Sequence, residues 1–225
     1  MILGMNEEKI HAPIRAVIFD MNGVIVDDES IHEQAFHDTV KPFGVSLSHK
    51  DYQRIFLGKS DAMGLQLFYA EHPLHISLSD IGRSKMDRYW ELVRSGIPVV
   101  HHAVDTIRRL SLQYTLAVTT GAARSELDAV FDQLNIRSYF SVVVTVEEFT
   151  HSKPHPEAYL LTSERLHIPP HQCTVIEDAP AGIHAAKKAG MRCVGITTTH
   201  TAEGLMEADV IVDSLGGITE SLING

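Results

Sequence analysis

The 225-residue chain carries 29 acidic against 19 basic residues, a formal charge of -10, and 44% of it is hydrophobic. That apolar content fills a real core and excludes a disordered chain. The acidic balance argues against a nucleic-acid partner, which would call for a broad basic face. No apolar run approaches the roughly 18 residues of a membrane span, and the opening MILGMNEEKIHAP places acidic residues where a signal peptide needs a basic start. A cytoplasmic protein without a membrane partner is expected.

The two cysteines, Cys173 and Cys193, form no CxxC pair and lie in apolar runs, which reads as buried free thiols in a reducing compartment. The 14 histidines are read mostly as surface side chains and not as a metal set.

In chain order, the first β-rich apolar run is Ala16 to Phe19. Between Asp28 and Pro98 no such run occurs. Amphipathic helices are predicted there, broken at Lys41-Pro42-Phe43-Gly44, at His72-Pro73 and at Ser95-Gly96-Ile97-Pro98. Further runs follow at Leu116 to Thr119, Val142 to Val146, Thr174 to Ile176, Cys193 to Ile196 and Val210 to Val212, alternating with helical stretches. Runs that are apolar throughout suit strands covered on both faces, and strands separated by helices imply a parallel sheet. The expected fold class is therefore α/β, with a Rossmann-like parallel sheet core of residues 1–30 and 99–225, helices on both faces, and an inserted all-helical cap domain over 31–98.

Polar residues gather where the apolar runs stop: Asp20 after the first, Thr119-Thr120-Gly121 after the second, Lys153 beyond the third, Glu177-Asp178 after the fourth. In an open parallel sheet the ligand crevice lies outside the carboxyl ends of the strands, so these groups are expected to converge. Taken singly, Asp20 or Asp178 could be a helix N-cap, Thr120 a turn residue and Lys153 a solvated lysine. Together, three carboxylates suit Mg²⁺, while the lysine, the threonine hydroxyl and main-chain N–H groups after Gly121 suit phosphate oxygens.

DMNGVIVD, AVTTG, SKPHPEAY and VIEDAPAGIHAAKKAGM, in this order, resemble the four motifs of the haloacid dehalogenase superfamily. The helical insertion resembles the small cap of its β-phosphoglucomutase and phosphatase branch. The resemblance implies an Mg²⁺-dependent hydrolase of small phosphorylated metabolites. Asp20 would be a nucleophile forming an aspartyl-phosphate, and Thr120 and Lys153 would hold the phosphoryl oxygens. Asp20, the Asn22 main-chain carbonyl, Asp178 and Glu177 would hold the metal, Glu177 directly or through water. Gly121, Lys59 and His32 are the candidate substrate-binding residues. The expected partner is a small phosphorylated substrate, and the expected state a monomer or small homo-oligomer.

The sequence also departs from the family. Asn22 stands where the phosphatases and the mutase carry an acid/base Asp. An amide cannot move protons near neutral pH, and loss of that group implies turnover slower by about 10²- to 10⁴-fold. An Asp-to-Asn exchange here is also the change that would trap the intermediate, while Asp28, where the family has Ser or Thr, reads as part of a coherent variant motif. Ser152 and Glu157 replace the usual Gly and Asp around the lysine and leave its ammonium untouched. His32 is a possible substitute acid, against its reading as a hinge or surface residue. In the Phe56-Leu57-Gly58-Lys59-Ser60-Asp61 loop the mutase's phosphate-binding Arg falls at Asp61, which should repel a second phosphate and argues against a phosphoglucomutase. Lys85, among Arg83, Asp87 and Arg88, is expected on a solvated face. Two other readings are a hydrolase whose leaving group needs no acid, such as a phosphonate or haloacid, and a phosphometabolite-binding protein without turnover.

Overall fold

The computed structural model describes residues 13–57, 59 and 61–225. The N-terminal stretch compared above with a signal peptide lies outside these up to residue 12, as do Gly58 and Ser60 of the Phe56–Asp61 loop.

The described strands are β1 (Ala16–Phe19), β2 (Thr115–Thr119), β3 (Phe140–Val144), β4 (Cys173–Glu177), β5 (Arg192–Ile196) and β6 (Val210–Val212). They form one sheet in the order β3-β2-β1-β4-β5-β6, with every neighbouring pair parallel. β1 is central: Ile18 is in register with Ala117 on one side and Val175 on the other. Its side chains alternate between two buried layers. Val17 and Phe19 join Ile107, Val118 and Phe131, while Ala16 and Ile18 join Tyr159, Val175 and Ile183. Both faces are dry, which is why the strands read as unbroken apolar runs.

Helices α5 (Ala103–Leu110), α6 (Arg124–Leu134), α7 (Glu157–Leu166), α8 (Pro180–Lys188) and α9 (Glu220–Asn224) accompany the sheet. β3 ends at Val144 and not at Val146 as expected, because Thr145 turns the chain: its N–H and hydroxyl both donate to the Glu148 carboxylate. Cys173 and Cys193 are buried free thiols.

The helical segment holds α1 (Glu29–Val40), α2 (His49–Phe56), α3 (Asp61–Glu71) and α4 (Leu78–Leu92). Ser48 and Ser77 start α2 and α4 by accepting the main-chain N–H of Asp51 and Asp80. The four helices share a separate apolar centre around Phe36, whose ring lies 4.4 Å from that of Phe56 and 4.9 Å from that of Phe68. The chain leaves the core and returns to it side by side. Val26 bridges antiparallel to Val99, with Asp27 N–H on Pro98 O and Val100 N–H on Ile25 O, both 3.0 Å.

Candidate active site

Beyond the carboxyl ends of the central strands lies a cavity of about 370 Å³. Asp20, Asn22, Thr120, Gly121, Lys153, Glu177 and Asp178 line it from the sheet side, and Glu29, His32, Tyr52, Phe56, Lys59 and Asp61 from the helical segment. Asp20 directly follows β1, and its N–H is held by Ile176 O at 3.0 Å. Gly23 (φ 75°) then turns the chain away. A Cβ at this glycine would stand 1.9 Å from Asp178 Oδ2, so only glycine lets the first loop lie against that carboxylate.

Asp20, Glu177 and Asp178 are all buried and can each direct an oxygen to one point, with those atoms within 4.8 Å of one another. Lys153 Nζ donates to Asp20 Oδ1 at 2.9 Å and to Glu177 Oε1 at 2.6 Å. Three carboxylates against one ammonium leave excess negative charge in a buried place. Accordingly Asp20 is pushed up to about 6, by burial first and also by Glu177, against the pull of Lys153. Burial, Glu177 and Asp20 likewise push Asp178 well above the carboxylate range. Burial alone would depress Lys153, but Asp20 and Glu177 outweigh it and raise its pKa. A divalent cation is the group that this charge excess fits.

The three acids are not equivalent. Glu177 Oε1 accepts from Lys153 and from Tyr159 OH at 2.9 Å, and Oε2 from the N–H groups of Asp178 and Ala179 at 3.0 and 3.1 Å. Its acceptor capacity is used, and a Cβ at Gly182 would press to 1.7 Å from Oε1. Glu177 thus holds Lys153 and Tyr159 in place and suits contact with a cation through water better than direct ligation. Asp178 keeps more freedom, with the Thr199 hydroxyl on Oδ2. Thr120 Oγ1 accepts the Ala122 N–H at 3.0 Å, which leaves its own hydrogen for a ligand.

The helical side corrects several sequence expectations. Lys85 is not on a solvated face: it is 4% exposed, and its ammonium meets Asp61 Oδ2 at 2.6 Å and His32 Nδ1 at 2.7 Å. Asp61 is therefore a paired acid and not a bare repulsive charge. His32 is neither a surface residue nor a loose hinge. It is buried, stacked on Tyr89 with ring centroids 4.3 Å apart, and its Nε2 faces Asp28 Oδ2 at 3.4 Å and Glu126 Oε2 at 3.8 Å. Lys59 lines the cavity, but its ammonium folds back onto Arg54 O at 2.9 Å and away from the carboxylate cluster. Nor are the histidines all isolated. His151 and His155, on the exposed loop around Lys153, and Glu157, at the start of α7, can bring one ligand atom each to within 4.8 Å of one another, and the HxxxH spacing of the two histidines is present in the sequence.

Four residues of the site carry no role in the sequence reading. Glu126, whose Oε1 accepts the Ala123 N–H at 3.0 Å, is visible in sequence only as an acid three positions beyond a helix start. Thr199 belongs to a Thr-Thr-Thr-His run just past β5. Tyr159 closes the SKPHPEAY motif without a role read for it and Tyr89 offers no sequence signal, yet the hydroxyl of each meets a buried carboxylate.

Comparison with known proteins agrees with this geometry. A family model described as haloacid dehalogenase-like hydrolase matches residues 17–196. Validoxylamine A 7'-phosphate phosphatase of Streptomyces hygroscopicus subsp. limoneus is 30% identical over 203 residues, 89% of this chain and 94% of that protein. A phosphorylated carbohydrates phosphatase of Thermotoga maritima is 29% identical over 204 residues, covering 88% and 93%. Among solved structures, CbbY from Rhodobacter sphaeroides in complex with phosphate superposes with a TM-score of 0.82 at 26% identity, over 91% of this chain and 96% of that one.

Proposed function

The chain belongs to the haloacid dehalogenase-like hydrolases, and on that premise we propose that it is an Mg²⁺-dependent phosphatase of small phosphorylated metabolites, sugar phosphates foremost, acting through an aspartyl-phosphate on Asp20. The observation that carries the reading is the buried cluster of Asp20, Glu177 and Asp178 facing the Lys153 ammonium at the mouth of the sheet. In this reading the helices of 31–98 are a cap domain on a core of 1–30 and 99–225, and the cavity between them receives the substrate.

Asp20 and Asp178 with the Asn22 main-chain carbonyl would hold Mg²⁺, and Glu177 would reach it through water. When bound, the cation supplies positive charge against the phosphoryl oxygens. A carboxylate oxygen of Asp20 attacks phosphorus. The Asp20 O–P bond forms, the ester P–O bond breaks, and the leaving alkoxide takes a proton from solvent water. Lys153 and the free Thr120 hydroxyl, with main-chain N–H groups beyond Gly121, neutralise charge on the other phosphoryl oxygens. Water then cleaves the aspartyl-phosphate and frees Asp20. Asn22 lends no proton at either stage, so turnover is slow for ordinary esters.

Glu29, Asp61 and Glu126 also line the cavity, and in this reading their carboxyl oxygens would accept hydrogen bonds from substrate hydroxyls. This favours a polyol monophosphate over a bisphosphate. A second reading, binding without turnover, is favoured only by the amide at position 22.

The test is a panel of phosphate monoesters with Mg²⁺, read as released phosphate and as an 80-Da adduct on Asp20 by mass spectrometry (about one phosphoryl group), with D20N as control. Turnover or adduct that disappears in D20N supports the reading. Absence of turnover, burst and adduct across the panel removes it, and ligand-induced thermal stabilisation without hydrolysis then establishes the binding protein.

A further inference from the structure

Asn22 does not sit in the loop as a blunted acid with nothing to hold. Its amide Nδ2 donates to Asp28 Oδ1 at 3.0 Å. The amide oxygen accepts nothing from the described residues, and the side chain lines the cavity. The hydrogen bond thus fixes the amide in one orientation, with its nitrogen on Asp28.

Asp28 is arranged for this purpose. It is 1% exposed and occupies the residue before α1, where an aspartate ordinarily accepts a main-chain N–H of the first helical turn. Here its side chain caps nothing. The carboxylate is turned toward Asn22, toward Tyr89 OH on Oδ2 at 2.7 Å, and toward His32 Nε2 at 3.4 Å. Three groups that can donate surround a buried anion, and Asn22 supplies one of them.

An aspartate at position 22 would break this arrangement. Two carboxylate oxygens would meet where N–H and oxygen now stand 3.0 Å apart, one of them on a side chain that is 1% exposed. The new side chain would swing away from its neighbour and lose the orientation that faces the cavity.

We propose that Asn22 and Asp28 are a matched pair, in which Asp28 is a positioning residue for the position-22 side chain, so that a carboxylate works at 22 only when residue 28 is no longer an acid. The proposal rests on the phosphatase reading for its catalytic consequence, while the pairing itself rests on geometry alone. In the exchanged pair, N22D/D28N, the hydrogen bond reverses. The amide at 28 donates to the acid at 22, and its own oxygen still accepts from Tyr89 and His32. The acid/base carboxylate then faces the cavity.

The experiment compares wild type, N22D, D28N and N22D/D28N with Mg²⁺ on the monoester panel, recording kcat, KM and melting temperature. N22D alone is expected to melt lower than wild type and to gain less than about 3-fold in kcat. N22D/D28N is expected to recover the melting temperature and to gain about 100-fold in kcat, the lower end of what a placed acid/base group supplies. KM should change little. A gain in N22D alone equal to that of the exchanged pair overturns the proposal, as does a melting temperature for the double variant that is the sum of the two single effects. If none of the four proteins turns over, the phosphatase reading fails, and the melting temperatures still decide the pairing.

Discussion

Lys153 is shared between Asp20, at 2.9 Å, and Glu177, at 2.6 Å, and it places one positive charge against a buried cluster of three acids. Removing it should do more than weaken phosphate binding. In K153M the acids lose their counter-charge, and breaking such a buried pair costs about 3–5 kcal/mol. A lowered melting temperature without Mg²⁺, partly restored by millimolar Mg²⁺, is expected alongside a loss in kcat of about 100-fold or more. Equal melting curves for K153M and wild type would contradict this.

Gly182 should control metal affinity without touching the metal. A methyl group there lands 1.7 Å from Glu177 Oε1 and must displace that carboxylate, and with it Lys153 and Tyr159. Losses of outer partners commonly weaken a metal about 10- to 100-fold. Titration of G182A with Mg²⁺, followed by thermal shift, should show that weakening, whereas G217A, where a Cβ meets nothing within 4 Å, should bind as wild type does.

Metal removal should expose the charge excess directly. Chelation is expected to lower the melting temperature, and Mg²⁺ at 100 times its Kd should return about 2.7 kcal/mol. D178N, which removes one of the crowded acids, should be less destabilised by chelation than wild type in a calorimetric scan.

Asp28 gives the protein a definite acid sensitivity. Burial would raise its pKa, but the hydrogen bond and charge of His32, with Tyr89 and Asn22, bring it from 3.8 down to about 2. A carboxyl depressed in the folded state stabilises it above the unfolded value, and this contribution is lost as pH falls from near 3.8 toward 2. The loss is about 2 kcal/mol. D28N lacks this titration, so urea denaturation should show wild type losing about that much relative to D28N between pH 5 and pH 2.

Lys85 should prove a structural cation of the helical segment. K85M leaves Asp61 without its 2.6 Å partner and frees His32 Nδ1. Because Asp61 remains half exposed, water takes up part of the stranded charge, and a cost of about 1–3 kcal/mol is expected in denaturant melts. K85M/D61N should recover part of it.

The sheet was legible because its central strands β1, β2 and β4 are buried on both faces, and burial writes itself as apolar runs rich in Val and Ile. The runs Ala16–Phe19 and Val210–Val212 coincide with β1 and β6. The sheet-side polar residues were legible because strand ends place them. Lys85 was not, since Arg83, Asp87 and Arg88 around it form an ordinary charged face. What buries it are His32, 53 positions earlier, and Asp61, 24 positions earlier, and local periodicity carries no record of either. Asp28 showed itself as an oddity of the motif, but its meaning depended on where Asn22, His32 and Tyr89 meet.

The strap formed by Val26 and Val99 has a further consequence. Because the outgoing and returning chains are already hydrogen-bonded neighbours, the intervening stretch is a closed excursion whose length the sheet does not register. Its side chains nevertheless reach the sheet, since Ala35, Tyr89, Val93 and Ile97 pack into the layer of Val17 and Phe19. On the proposed reading, the strand ends carry the chemistry and the stretch between Val26 and Val99 the choice of substrate.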